Sequence, residues 1–128
     1  MRLHKSGEDY LEAILILEQK RSYVRSSDVA EQMKVTKPSV TNATRFLKED
    51  GFLTMDGDKQ IHLTELGREV AALIYERHCV LTDGLIYLGI DPETAEQDAC
   101  RVEHDISRET FEKLKACWET IANGERKP

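Results

Sequence analysis

The sequence predicts a mainly α-helical chain, an N-terminal winged helix-turn-helix followed by helices that form a C-terminal dimerisation domain. Three observations carry that prediction. Apolar residues recur at helical spacing over most of the chain. Two short helices with a brief break between them fill Ser27 to Asp50, and an Asp-Gly turn flanked by alternating apolar residues comes directly after. A hairpin in that position is a wing.

The helix pair sets the rest. Asp28 to Met33 puts Val29, Ala30 and Met33 at helical spacing, with Ser27 placed to accept from the first free backbone amides. After a break at Lys34 to Thr36, Thr36 caps the second helix and Pro38 stands in its first turn. That helix runs Ser39 to Glu49 with Val40, Ala43 and Leu47 on one side. The other side carries Lys37, Ser39, Thr41, Asn42, Arg45 and Lys48. Hydroxyls and cations suit phosphates while Asn and Arg suit base edges, so this surface has the composition of a helix lying in a DNA major groove. A solvated amphipathic helix shares the pattern; the break and the hairpin decide for helix-turn-helix. With Pro38, and with Lys59 at the hairpin tip, these form the candidate DNA-binding set.

The first helix, about Ser6 to Lys20, takes Ser6 as cap, Glu8 and Asp9 at its positive end, and Tyr10, Ala13, Ile14 and Leu17 as a buried stripe. Asp9 and Glu12 share a face, and alone both carboxylates read as solvated. Gly51 ends the second helix of the pair. The strands are Phe52 to Met55 and Gln60 to Leu63, around Asp56-Gly57-Asp58-Lys59, with His62 as a strand surface residue. Thr64 caps a long helix from Glu65 to about Leu88, with Leu66, Val70, Leu73, Val80 and Leu81 among its apolar positions, and Gly89 stops it. Asp91-Pro92 starts a helix to about Asp105, and Ser107 starts the last, with Phe111, Leu114, Trp118 and Ile121 on one stripe and a frayed NGERKP tail. These helices carry more apolar residues than they can hide by themselves, which predicts pairing with a second copy. The division is residues 1–65 for the winged domain and 66–128 for the helical one.

Composition narrows the function classes. Neither a membrane-length apolar run nor a signal-peptide core is present, so a cytoplasmic protein is expected, and three cysteines do not make a disulfide framework. The net charge of −6 sits mostly in the second half: residues 1–65 hold 10 Lys and Arg against 11 Asp and Glu, residues 66–128 hold 8 against 13. DNA affinity depends on the local field, so the basic helix serves even in an acidic chain. Bound cations are one account of the remaining acidity.

The chemistry gathers at Asp98 to Asp105. Cys100, Glu103 and His104 stand at i, i+3 and i+4, leaving one helix face within reach of a single ion. His78 follows Ala71 and Ile74 along one line of the preceding helix and could face the same point, with Asp9 and Glu12 as possible oxygen donors. Thiolate, imidazole and carboxylate together describe a divalent transition-metal site better than an all-oxygen calcium site. Taken singly, each has an ordinary account: a buried structural Cys100, a surface Glu103, a helix-capping His104.

The segments SGEDYLEAI, SDVAEQMKVTKPSVTNATRFLKEDGFL, LTELGREVA, RHCVL and DACRVEHDIS resemble, in the same order and at similar spacings, the DtxR/MntR family of metal-dependent transcriptional repressors. The match covers nearly the whole chain. It implies a homodimer whose winged domains bind a palindromic double-stranded DNA operator when Mn(II) or Fe(II) is bound, and it implies Asp9, Glu12, His78, Cys100, Glu103 and His104 as metal ligands. The length resembles the shorter, manganese-sensing type. Cys100 resembles the iron-sensing branch, whereas Asp9 resembles the manganese branch; Zn(II) or Co(II) can substitute in vitro by the Irving-Williams order. One ion or two both remain open. The expected role is a regulator and not an enzyme, since no general base beside an open cleft accompanies the cluster. A metal-independent winged-helix regulator responding to a small molecule is the competing reading.

Overall fold

The computed structural model describes residues 3–124. In chain order these form α1 (Lys5–Lys20), α2 (Ser26–Met33), α3 (Lys37–Glu49), β1 (Leu53–Met55), β2 (Ile61–Leu63), α4 (Glu65–Tyr87), α5 (Pro92–Val102) and α6 (Arg108–Gly124). The chain divides into two compact units between Leu73 and Ile74, within α4. Among the described residues no helix is long and apolar enough to cross a membrane.

The first unit is a winged helix-turn-helix. Its core joins Leu11 and Ile14 of α1 to Val24, Val29, Val40, Leu53 and Ile61, all essentially without solvent exposure. Truncating one of the leucines or isoleucines among these to Ala costs about 2–5 kcal/mol, since both transfer and cavity terms apply. The expected α1 stripe of Tyr10, Ala13, Ile14 and Leu17 is buried, and Leu11, Glu12 and Leu15 join it.

Helix starts differ from the sequence expectation. His4, and not Ser6, is the cap position of α1, and α2 begins at Ser26 with Arg25 as its cap, which puts Ser27 inside the first turn. The Asp28 carboxylate accepts from the Arg25 amide at 2.9 Å, so an acid reaching back fixes the start, without a serine hydroxyl. For α3 the expectation holds: Thr36 Oγ1 accepts from the Ser39 amide at 3.3 Å, and Pro38 lies in the first turn. Lys34, at φ 58°, makes the turn between the two helices. Inward from α3 point Val40, Leu47 and Thr44, while Ala43 is only half-buried. The Thr44 hydroxyl donates to the Thr41 carbonyl at 3.1 Å, which satisfies it inside the helix and frees its methyl to pack.

At the end of α3 the Phe52 amide bonds Leu47 O at 2.9 Å and the Gly51 amide bonds Lys48 O at 3.1 Å, a Schellman closure that needs Gly51 at φ 84°. The strands pair antiparallel with Leu53 opposite Leu63 and Met55 opposite Ile61. Each is one residue shorter than expected, because Phe52 closes the helix and Gln60 belongs to the turn. The Ile61 amide also bonds Val24 O at 2.7 Å, tying the loop before α2 to the wing. Thr64 caps α4, accepting from the Gly67 amide at 3.1 Å and donating to Gly51 O at 2.7 Å. Gly67 passes so close to Phe52 that a Cβ there would lie 1.9 Å from its carbonyl oxygen.

The second unit holds the rest of α4 with α5 and α6. A second Schellman closure ends α4: the Ile90 amide bonds Leu85 O at 3.1 Å, with Gly89 at φ 99°. The Asp91 carboxylate caps α5 through the Glu93 and Thr94 amides at 3.1 and 3.3 Å. Regular helix stops at Val102, short of the expected Asp105. The guanidinium of Arg77 donates to the carbonyls of Glu103 and Ile106 at 3.1 and 3.2 Å, drawing them out of a continuing helical ladder. Ser107 caps α6 through the Thr110 amide at 3.0 Å. The helix continues through Asn123 and Gly124, so the start of the expected frayed tail is helical; residues 125–128 lie outside the described residues.

Of the α6 stripe only Phe111 is buried; Trp118 and Ile121 are half-buried and Leu114 is exposed. Trp118 meets Tyr87 edge-on at 5.6 Å. On α4 the apolar Leu66 and Leu73 are exposed, while Ala71 and Ile74 take the inward positions.

Candidate functional site

In the second unit the structure brings His78, Glu103 and His104 together. Glu103 has no solvent exposure, and its Oε1 lies 2.8 Å from His78 Nδ1. Its Oε2 has no hydrogen-bond partner among the described residues and stands 3.8 Å from Nε2 of His104, whose side chain is 1% exposed. The reading of Glu103 as a surface glutamate is therefore overturned. A buried charge is costly unless matched, and one carboxylate oxygen here has no hydrogen-bond donor among the described residues. A cation between imidazoles and that oxygen would satisfy it, so the donor set fits a divalent transition metal.

Backbone placement of this cluster depends on Arg77. Its guanidinium grips the Glu103 and Ile106 carbonyls and lies 5.3 Å over the Phe111 ring. Because α5 ends at Val102, the cluster occupies a helix end and the turn after it, and not one continuous helix face. Cys100 is half-buried in the last turn of α5. None of Cys79, Cys100 and Cys117 forms a disulfide. In the first unit Asp9 and Glu12 lie on successive turns of α1; Glu12 is 8% exposed and Asp9 half-buried, so the solvated reading fails for Glu12.

The candidate nucleic-acid surface lies wholly in the first unit. Lys37, Pro38, Ser39, Thr41, Asn42, Arg45, Lys48 and Lys59 are all exposed. A groove of about 610 Å³ runs between α3 and the wing, lined by Lys37, Arg45, Lys48 and Lys59 together with Arg25 and one acid, Asp56. Asn42 Oδ1 accepts from the Arg45 guanidinium at 2.8 Å, which orients two residue types suited to base edges. His62 is exposed as expected and sits 2.9 Å from Asp56 Oδ2.

Sequence reasoning missed Arg25 and Arg77. Arg25, its guanidinium 5.0 Å over the Tyr23 ring, precedes the helix pair and leaves no periodic signal. Arg77 is adjacent to His78 in sequence, and only the tertiary turn after α5 reveals its partners.

Two family models match the chain, one over each half. The family model described as iron dependent repressor, N-terminal DNA binding domain, matches residues 2–61. The model described as iron dependent repressor, metal binding and dimerisation domain, matches residues 64–123. An HTH-type transcriptional regulator of Methanocaldococcus jannaschii is 33% identical over 119 residues, covering 91% of this chain and 95% of the relative. The HTH-type transcriptional regulator MntR of Lysinibacillus sphaericus is 31% identical over 109 residues, covering 85% of this chain and 78% of the relative. The solved structure of the manganese regulator SloR superposes with a TM-score of 0.79 at 25% identity, covering 93% of this chain; the chain spans 55% of the length of that structure. With one model over each half of the chain, the chain belongs to the iron-dependent repressor family, the DtxR/MntR group of metal-dependent, DNA-binding transcriptional repressors.

Proposed function

We propose that this chain acts in the cytoplasm as a homodimeric repressor of metal-ion homeostasis, reading a palindromic operator with its winged domain, residues 1–65, and sensing Mn(II) or Fe(II) with its helical domain, residues 66–128. The observation that carries this is the buried Glu103, flanked by His78 and His104, in the same chain as the cationic groove. Asp9, Glu12, His78, Cys100, Glu103 and His104 would hold the ion. When bound, the cation would supply positive charge among these carboxylates.

The chain's own residues do the rest. Asp9 and Glu12 belong to the unit that carries α3, whereas His78, Cys100, Glu103 and His104 belong to the other. Repulsion among uncompensated carboxylates would leave the winged heads of a dimer free to sample several separations. With the repulsion removed, a separation near one DNA turn, roughly 34 Å, is selected. Asp9 brings a hard oxygen donor, which favours Mn(II), and Cys100 a thiolate, which favours Fe(II) and later metals. The apolar surface of Leu85, Tyr87, Leu88, Leu114, Trp118 and Ile121, with Leu88 73% exposed, supports pairing with a second copy. Lys37, Arg45, Lys48 and Lys59 would meet phosphates and base edges.

The test is duplex binding titrated anaerobically with Mn(II), Fe(II), Co(II) and Zn(II), before and after chelation. Metal raises duplex affinity and duplex raises metal affinity by the same factor. Duplex binding unchanged by chelation would decide for the metal-independent regulator.

A further inference from the structure

Asp56 is the single acid lining the cationic groove, where by charge alone it should weaken contact with phosphates. Its carboxylate is instead the centre of the wing tip. Oδ1 accepts from the amides of Asp58 at 2.9 Å and Gln60 at 3.0 Å, and Oδ2 accepts from His62 Nε2 at 2.9 Å. Its backbone closes the same turn: the Asp56 amide bonds Gln60 O at 3.1 Å and the Lys59 amide bonds Asp56 O at 3.0 Å. Inside this cage Lys59 is held at φ 61°, a left-handed conformation that a lysine adopts only when its surroundings impose it. Gly57, the residue best suited to such a conformation, does not take it. The turn therefore spends its strain on the one cation at the tip.

We propose that Asp56 is a positioning residue for DNA binding: it imposes the turn that aims Lys59 at the duplex backbone, and this aim outweighs the repulsion of its own charge. The inference rests on the groove being the DNA surface. The His62 hydrogen bond, with the Gln60 amide after it, holds the Asp56 carboxyl below the usual aspartate range, so the charged acceptor is present at neutral pH.

Charge and aim predict opposite signs, which makes the proposal testable. The probe is a mixed-sequence duplex of about 30 base pairs, long enough for both heads of a dimer, titrated with the full chain in Mn(II) at several salt concentrations. One lost phosphate contact on each of the two wings lowers the slope of log K against log salt by about 1.8, which is roughly a sixtyfold loss in affinity for each tenfold step in salt below the concentration where the curves meet. Lys59→Ala should show that loss. Asp56→Ala should show the same loss, and the double variant should add nothing to either single one. Asp56→Asn keeps an oxygen for the two amides and should retain the wild-type slope. Circular dichroism of each variant distinguishes an unaimed wing from an unfolded domain. Asp56→Ala binding as tightly as wild type with an undiminished slope overturns the proposal, as does a Lys59→Ala without effect. Absence of duplex binding by wild type in any metal overturns instead the reading of the groove on which it rests.

Discussion

Replacing Glu103 with Gln isolates the charge at the centre of the cluster, because the two side chains have nearly the same shape. Glu103 is fully buried, its Oε1 2.8 Å from His78 and its Oε2 without a hydrogen-bond donor. The amide can still accept from His78, but its two N–H groups replace an oxygen that faces Nε2 of His104 at 3.8 Å. An unsatisfied buried donor costs about 1–3 kcal/mol, offset in part by removal of a buried charge, so metal-free stability should move little. The metal-bound state should differ far more. At metal 100 times above Kd, binding stabilises the wild type by about 2.7 kcal/mol. Loss of an anionic ligand should lower affinity at least about 100-fold, the upper end for residues that merely support ligands. The same metal concentration then adds only about 0.4 kcal/mol. For a chain of this size the difference is a thermal shift of roughly 10 °C in wild type and one or two degrees in the variant. Differential scanning fluorimetry with and without Mn(II) reads it directly. An E103Q protein showing the full wild-type shift would mean that the buried carboxylate does not hold the ion.

Three further outcomes follow from the geometry. Arg45→Ala should weaken duplex binding by about 1–3 kcal/mol, read by fluorescence anisotropy, with metal affinity by calorimetry nearly unchanged, since Arg45 is exposed and its contacts, a bond to Asn42 and the Phe46 ring at 4.9 Å, lie within α3. Gly67→Ala should destabilise the chain by several kcal/mol, about the upper range for single substitutions, because its Cβ would meet the Phe52 carbonyl at 1.9 Å; chemical denaturation measures the loss. The Asp56 carboxyl carbon, followed by NMR, should titrate below 3.8, the ordinary aspartate value. Since the folded value is depressed, the wing's contribution to stability is complete above the ordinary value and is lost as pH falls through the folded one.

Much of the first unit is legible in the sequence, because its signals are local. The Thr36 cap, the Gly51 stop and the Asp-Gly hairpin each act within a few residues, as does the Gly89 stop in the second unit, and the cations of α3 are exposed where helical spacing puts them. Caps set by an acid reaching back, as Asp28 does to Arg25, are less visible because the cap residue carries no preferred side chain. The metal cluster is legible as composition but not as geometry. Spacing of Cys100, Glu103 and His104 implies a continuous helix, and the observed turn after Val102 depends on Arg77, which arrives from another helix. Burial of Glu12 and Glu103 is likewise a tertiary property, invisible to a rule that places lone carboxylates in solvent.

Thr64 has a consequence for how this protein can diverge. With its hydroxyl on Gly51 O and its amide on Phe52 O, it staples together the two ends of the hairpin, while Gly67 seals the same junction from beyond. Everything from residue 53 to 63 thus hangs from a fixed mouth. Doubling the length of such a loop costs only about 0.6 kcal/mol of closure entropy. Turns of other lengths and charges can be grafted between Met55 and Ile61 while Leu53 and Ile61 stay in the core with Val40, which makes the tip of the wing adjustable apart from α3.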